Sequence, residues 1–307
     1  MRVLTGVLLG LLPLVPRSIM RFIAWRYIAG ERLDELLVVV KQLHEAGLLA
    51  TVDVLGENSR TEASVRESVD EYLRLVDALS ATGIPSEVSI KPTLFGIRLS
   101  DELAERAVSA VVRRAAERRI GVTIVVEDST VTDATLRLYE KLRGEHDRLG
   151  VAIQAYLHRS LADVERLLPL KPVVRVCKGI YVESPALALQ DRQAIRENYL
   201  GIVTRLVEGG GYPAIATHDP WLVDRCLGLL RARAVGPTSH EFQMLLGVGE
   251  ALRPRIRAQG SPLRLYCPYG PDWHAYSVRR LKENPRLFGY AARSLVSWRT
   301  FQRSHVR

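Results

Sequence analysis

The chain has 307 residues, of which 47% are hydrophobic and 25% are charged, a composition that excludes a disordered or fibrous protein. Its three cysteines, Cys177, Cys226 and Cys267, are widely spaced, which excludes a disulfide scaffold and a Cys-x-x-Cys motif and predicts a reducing, cytoplasmic setting. No run of 18 apolar residues occurs, so the sequence predicts no membrane-spanning helix.

The net charge of +9 arises in the C-terminal part of the chain, because residues 251–307 contain only two acids, Asp272 and Glu283. A basic surface of this kind attracts nucleic acid, anionic lipid, or an anionic cofactor and substrate. No zinc-finger, RNA-recognition or basic-zipper pattern is present, so nucleic acid is not expected as a partner. A solvated basic surface is the simplest interpretation of the charge.

Residues 1–27 form a first segment that predicts one or two short helices. Pro13 and Pro16 interrupt its apolar run and no clear small-residue cleavage site follows, so a signal peptide is not predicted. Residues 19–27 mix aromatic side chains with arginines, as helices at a membrane interface do. Peripheral contact with the inner face of a membrane and packing on the outside of the following domain are both open interpretations.

Residues 28–307 alternate short β-branched runs with helical patterns. The predicted strands are Leu49–Val54, Val88–Ile90, Val122–Val126, Val151–Ala155, Val173–Cys177, Tyr212–Ala216, Glu241–Leu245 and Leu263–Tyr266. The clearest predicted helices are Leu33–Ala46, Glu62–Leu79, Asp101–Arg118 and Asp133–Leu142. This alternation predicts an α/β protein with a (β/α)8 TIM-type barrel, since a doubly wound sheet needs fewer strands and usually a Gly-x-Gly-x-x-Gly turn.

Polar or ionisable residues lie at the carboxyl end of every predicted strand, the edge that carries the active site in this fold. They are Glu57, Lys91, Glu127 with Asp128, Gln154, Arg175 with Lys178, Thr217 with His218, Gln243 and Tyr266. A single one of them could be a loop residue or a helix cap. All of them together predict a ligand site on that face of the barrel.

Several of these residues also have simpler interpretations. Asp219, before a proline, is fully explained as a helix N-cap. Lys91 could be an exposed strand-end residue, or the Schiff-base lysine of an aldolase. Tyr266 could belong to the core, and Arg279 with Glu283 could form an ion pair on an exposed helix turn.

Five segments match, in order, the motifs of one known family. They lie at residues 89–93 (SIKPT), 151–160 (VAIQAYLHRS), 174–181 (VRVCKGIY), 216–219 (ATHD) and 264–273 (RLYCPYGPDW), the last running into 276–284 (YSVRRLKEN). On these segments the chain resembles the monofunctional, FAD-dependent proline dehydrogenases over residues 28–300.

The resemblance implies a distorted barrel whose eighth helix lies over the mouth, with FAD placed across the strand ends and no metal. It implies that Val126 replaces a methionine that packs on the flavin, and that Arg175 lies near flavin N5. The implied cofactor-binding residues are Val126, Gln154, Arg175, Lys178, Gly179, Ile180, Thr217 and His218.

The resemblance also implies the reaction. Lys91, Arg175 and Tyr266 would be catalytic, and the substrate-binding residues would be Lys91, Tyr266, Arg279, Arg280 and Glu283. A lysine and two arginines form a site for a carboxylate, with Glu283 available to the amine. The implied activity is oxidation of proline or a related cyclic imino acid to an imine of the pyrroline-5-carboxylate type by hydride transfer to the flavin, with a membrane quinone as electron acceptor.

The sequence departs from the family at Val125, where the family has an Asp close to the lysine of the substrate site. Three consequences are open. The site accepts another substrate, or it oxidises proline more slowly with Glu127 or Glu57 supplying the missing acid, or it binds flavin without turnover.

Overall fold

A computed structural model describes residues 20, 21, 24–274 and 276–278 of the chain. Eight parallel strands close into a barrel in sequence order. They are β1 (Leu49–Val54), β2 (Ser86–Ile90), β3 (Gly121–Val125), β4 (Leu149–Gln154), β5 (Val173–Cys177), β6 (Tyr212–Ala216), β7 (Glu241–Leu245) and β8 (Leu263–Tyr269). The predicted (β/α)8 barrel is therefore confirmed, whereas the eighth helix expected over its mouth would follow β8 and lies outside the described residues.

The helices pack around this barrel. They are α1 (Leu33–Glu45), α2 (Glu62–Ala81), α3 (Asp101–Arg118), α4 (Thr132–Leu142), α5 (Ser160–Leu167), α6 (Arg192–Glu208), α7 (Pro220–Ala232) and α8 (Arg253–Arg257). Short 3₁₀ turns lie at Arg143–Glu145, Leu168–Leu170 and Glu250–Leu252. The helices bury their apolar faces against the strands, and hydroxyls at two of these interfaces bond to strand carbonyls: Tyr72 to Ser89 at 2.6 Å and Tyr199 to Val176 at 2.8 Å.

Side-chain caps explain where several helices begin. Ser100 accepts a hydrogen bond from the backbone of Leu103 at the start of α3, and Asp191 does the same at the start of α6. Asp219 accepts from the backbone N–H of Trp221 at the start of α7, as its position before a proline predicts.

The start of the chain as described packs onto the barrel. Met20 and Ala24 are buried in one cluster with Leu55, at the end of β1, and with Trp273, beyond β8. The ring centroids of Trp25 and Trp273 are 5.8 Å apart, edge to face. These contacts place the beginning of the segment after β8 beside the carboxyl end of β1. Membrane contact of residues 1–27 stays a prediction, and no described helix has the length and apolar character needed to cross a bilayer.

Candidate active site

The interior of this barrel is polar, whereas branched apolar side chains usually fill a (β/α)8 barrel. Alternate strand positions point inward and bring together polar side chains that are each at most 9% exposed. They are Thr51, Asp53, Glu87, Ser89, Lys91, Thr123, Arg175, Glu241, Gln243 and Arg264. Buried polar groups cost free energy unless they are paired. So many of them in one interior therefore mark a candidate site for chemistry.

Arg175 is the best-anchored cation of this interior. Its guanidinium donates to Gln243 Oε1 and Ser89 Oγ at 2.6 and 2.7 Å. It also donates to Glu87 Oε1 at 2.6 Å and Thr51 Oγ1 at 3.1 Å. The sequence placed Arg175 at a strand end, but it lies in the middle of β5 and is 5% exposed, so its orientation is fixed by the barrel itself.

A second buried arginine, Arg264, lies on β8. It donates to both oxygens of Glu241, at 2.7 and 2.9 Å, and to the carbonyl of Ala50 at 2.9 Å. Burial opposes the ionisation of Glu87, but Arg264 and Arg175 outweigh it and lower the pKa of that carboxyl. The interior therefore holds two arginines opposite two carboxyl groups, Glu87 and Glu241.

Lys91 forms a buried ion pair with Asp53, with Nζ 2.6 Å from Oδ2. Asp53 is fully buried, and its Oδ1 has no hydrogen-bond partner among the described residues. The acid that Lys91 contacts is thus Asp53 on β1, which the sequence analysis did not single out. Glu127 instead accepts from the backbone and hydroxyl of Thr93, and burial raises the pKa of Glu127.

Tyr266 lies close to both Arg175 and Asp53. Its ring centroid is 5.6 Å from the guanidinium carbon of Arg175. Burial, and then the negative charge of Asp53, raise the pKa of Tyr266 well above its usual value, so the phenol stays neutral. Strand β8 continues three residues beyond the predicted end, to Tyr269, so Tyr266 is an interior strand residue and not a strand-end residue.

Gln154, predicted to bind a cofactor, joins two elements of the barrel mouth. Its amide nitrogen donates to the carbonyls of Val126 and Glu127, and its oxygen accepts from the backbone N–H of Ile180 at 3.1 Å. Val126 itself is 2% exposed and packs in the core. Gly179 has φ +125°, and a Cβ there would lie 2.2 Å from the ring of Tyr156.

Lys178 and His218 are held by neighbouring groups of the same rim. Lys178 Nζ lies 2.5 Å from Asp219 Oδ2, and Arg196 donates to both oxygens of that carboxylate. Thr217 Oγ1 accepts from the backbone of Asp219, and His218 Nε2 accepts from the backbone of Leu245 at 2.8 Å. The sequence analysis explained Asp219 only as a helix cap. In the structure it also pairs with Lys178 and Arg196.

The ion pairs of Asp219 predict a pH-dependent contribution to stability. Burial opposes its ionisation, but hydrogen bonds from Arg196 and Lys178 lower the pKa of Asp219 well below its usual value. A lowered pKa stabilises the fold above the unfolded pKa of about 4, and this stabilisation is lost as the pH falls below it. Asp219→Asn keeps the cap and removes the charge, so we expect its stability deficit in urea to be about 1 kcal/mol smaller at pH 3 than at pH 7.

The control is Asp133→Asn, which removes a carboxylate whose side chain is 63% exposed in its pair with Arg159. Exposed pairs contribute little, so this variant should differ little from the unmodified protein at either pH. An Asp219→Asn deficit that is equal at both pH values would contradict the assignment.

Three predicted site residues, Arg279, Arg280 and Glu283, lie outside the described residues. Their proximity to Lys91 stays a prediction. Among the described residues, no group of three or more His, Cys, Asp or Glu side chains is arranged to hold a metal ion.

A closed (β/α)8 barrel whose interior holds a buried, paired arginine and whose strand end holds a buried, paired lysine has the architecture of the barrel enzymes. The family model described as "Proline dehydrogenase" matches residues 36–288. Proline dehydrogenase 1 of Bacillus subtilis subsp. natto is 32% identical over 273 residues, covering 89% of this chain and 90% of the relative. Proline dehydrogenase of Deinococcus radiodurans is 32% identical over 279 residues with the same coverage.

The chain therefore belongs to the proline dehydrogenase family, and it is an oxidoreductase. A crystal structure of proline utilization A from Bdellovibrio bacteriovorus, inactivated by N-propargylglycine, matches with a TM-score of 0.79 and 26% identity. The match covers 85% of this chain and 32% of that one, so this chain spans about a third of that longer protein. These matches confirm the family resemblance and the barrel.

Proposed function

We propose that this protein oxidises proline, or a closely related cyclic imino acid, to an imine of the pyrroline-5-carboxylate type with FAD as cofactor. Membership of the proline dehydrogenase family supports the substrate class. The observation that carries the proposal is Arg175, a buried guanidinium fixed by four hydrogen-bond partners beside Tyr266. Such a preorganised cation stabilises the negative charge that a flavin acquires on reduction.

The donors at the barrel mouth fit a flavin nucleotide. Lys178 is a cation with 34% of its side chain exposed, held in place by Asp219, which suits a phosphate oxygen. FAD would be held by Val126, Gln154, Arg175, Lys178, Gly179, Ile180, Thr217 and His218. When bound, it supplies the electron acceptor that the side chains of the protein lack.

Lys91 is proposed to bind the substrate carboxylate together with Arg279 and Arg280, while Glu283 receives the amine. Asp53 occupies one N–H of the Lys91 ammonium and orients the group, which leaves other N–H donors for a ligand. An ammonium paired in this way is a poor nucleophile, which disfavours Schiff-base chemistry at Lys91. Tyr266, as a neutral phenol, would shape the pocket and donate a hydrogen bond.

A membrane quinone is the proposed electron acceptor. The aromatic residues and arginines of residues 19–27 support peripheral membrane contact, and Arg21, whose guanidinium lies 4.4 Å from the ring centroid of Trp25, is exposed. Binding of the protein to anionic vesicles, and its weakening when the exposed Arg21 is replaced (Arg21→Glu), would test this part of the proposal separately from catalysis.

The test of the proposed function is an anaerobic screen of flavin bleaching. The purified protein should be yellow, and proline should bleach it faster than hydroxyproline, pipecolate or acyclic amino acids. A colourless protein that cannot take up FAD would overturn the proposal. Bleaching by another cyclic imino acid, with proline inert, would move the substrate and keep the chemistry.

A second candidate, a flavin-binding protein without turnover, is favoured by Val125 alone. The Lys91–Asp53 pair argues against it, because Lys91 retains a carboxylate partner although position 125 has none. We therefore expect the unmodified protein to be reduced by proline, and Val125→Asp to change the reduction rate less than tenfold, as measured by stopped-flow absorbance. Activity that appears only in Val125→Asp would establish the second candidate.

A further inference from the structure

We propose that Glu87 is a positioning residue that fixes the orientation of Arg175 and sets the charge that the flavin site experiences. This inference rests on the proposed function. Glu87 lies on β2 inside the barrel and is 8% exposed. Burying a carboxylate where branched apolar side chains usually lie costs free energy, so Glu87 needs specific partners there.

A single oxygen of Glu87 carries three of these contacts. Oε1 accepts from Arg175 Nη2 at 2.6 Å and from the hydroxyls of Thr51 and Thr123, each at 2.8 Å. The threonines belong to β1 and β3, the strands on either side of Glu87. The carboxylate therefore cannot rotate without breaking hydrogen bonds to both neighbouring strands, and this rigidity is passed to Nη2 of Arg175.

Each of the two buried arginines has a different carboxylate as its nearest partner. Glu241 holds Arg264 through both of its oxygens, at 2.7 and 2.9 Å. Glu87 is 3.9 Å from Arg264 but 2.6 Å from Arg175. Because an uncompensated buried charge is costly, Glu87 is the group that neutralises Arg175 within the barrel.

The neutralised pair has a consequence for redox chemistry. Reduction adds negative charge to a flavin, so its equilibrium follows the net charge of the groups around it. Glu87→Gln keeps an acceptor oxygen and the side-chain shape but leaves Arg175 uncompensated. We expect the equilibrium constant for flavin reduction to rise about tenfold, which for a two-electron couple corresponds to about 30 mV.

The experiment equilibrates the holoprotein with redox dyes of known potential and also records thermal unfolding. Glu241→Gln is the matched control, since it removes a buried carboxylate that pairs with Arg264 and reaches Arg175 only through Gln243. Both variants should lower the unfolding temperature, because each weakens a buried ion pair. Only Glu87→Gln should shift the reduction equilibrium tenfold, whereas Glu241→Gln should change it less than threefold.

Several outcomes overturn the inference. A Glu87→Gln equilibrium within twofold of the unmodified protein, or an equal shift in Glu241→Gln, reduces Glu87 to a structural core residue. If Glu87→Gln does not fold, Thr123→Val keeps every charge and removes one hydrogen bond to Glu87; it should shift the equilibrium in the same direction by two- to threefold, and no shift overturns the inference. An unmodified protein that binds no FAD instead defeats the proposed function itself.

Discussion

Replacing Lys91 with methionine is expected to lower the free energy of unfolding by about 3–5 kcal/mol, because it leaves the carboxylate of Asp53 buried without its partner. Nothing compensates Asp53 for this loss, because its side chain has no solvent contact and Lys91 is the single ion-pair partner that the described structure gives it. Urea unfolding measures the change. The same variant should lower kcat/KM for proline at least a hundredfold, since a charged contact to the substrate carboxylate disappears.

The double variant Asp53→Asn with Lys91→Met identifies the cause of the Lys91→Met deficit. It removes both charges, so no unpaired carboxylate remains buried, and it should recover part of the stability without recovering activity. A double variant as unstable as Lys91→Met would contradict the ion-pair explanation.

The barrel could be predicted because the outward positions of its strands carry a clear signal. β1, β5, β6 and β7 have the bounds that the β-branched runs predict. β8 runs three residues further, because Cys267 and Tyr269, on either side of Pro268, remain buried. The strand ends next to turns were harder to locate, since pairing with a neighbouring strand, which composition does not reveal, decides where a strand stops.

The polar interior was harder to predict. Asp53 and Glu87 alternate with apolar residues along β1 and β2, and an alternating strand is usually taken to have one solvated face. In a closed parallel barrel neither face is solvated, because helices cover one and the other lines the interior. Polar residues at every second position of these strands were therefore the available signal for buried ion pairs, once the barrel had been inferred.

The family motifs located Arg175, Lys178 and Gln154 but not what holds them. Gln154 bonds to backbone groups of the residues just after β3 and of the loop after β5, and Lys178 is held by a residue taken as a cap. Motifs record which side chains recur, whereas their partners come from strands that are distant in sequence. The guanidinium of Arg175, for example, donates to Glu87, which lies 88 residues away in the sequence.

Gly179→Ala is expected to detach the loop after β5 from the cofactor site. Gly179 has φ +125°, and an added Cβ would lie 2.2 Å from Cδ1 of Tyr156. Tyr156 is held in place, because its backbone forms hydrogen bonds with Lys178 and Leu189 at 2.8 and 2.7 Å and its side chain is buried. The loop must therefore shift and break the hydrogen bond from Ile180 to Gln154.

We expect Gly179→Ala to weaken FAD binding at least tenfold, as measured by quenching of flavin fluorescence, with a stability loss of about 2–5 kcal/mol from strain and overlap together. Gly83→Ala is the control for a positive φ without overlap: Gly83 has φ +69°, which L residues tolerate better than +125°, and nothing lies within 4 Å of an added Cβ. That control should cost about 1 kcal/mol and leave FAD binding unchanged. If the two variants bound FAD equally well, the overlap at Gly179 would have no effect on the cofactor. The loop carrying Lys178 and Ile180 would then not hold FAD. A selective loss in Gly179→Ala would instead tie cofactor binding to this loop through a residue that has no side chain of its own.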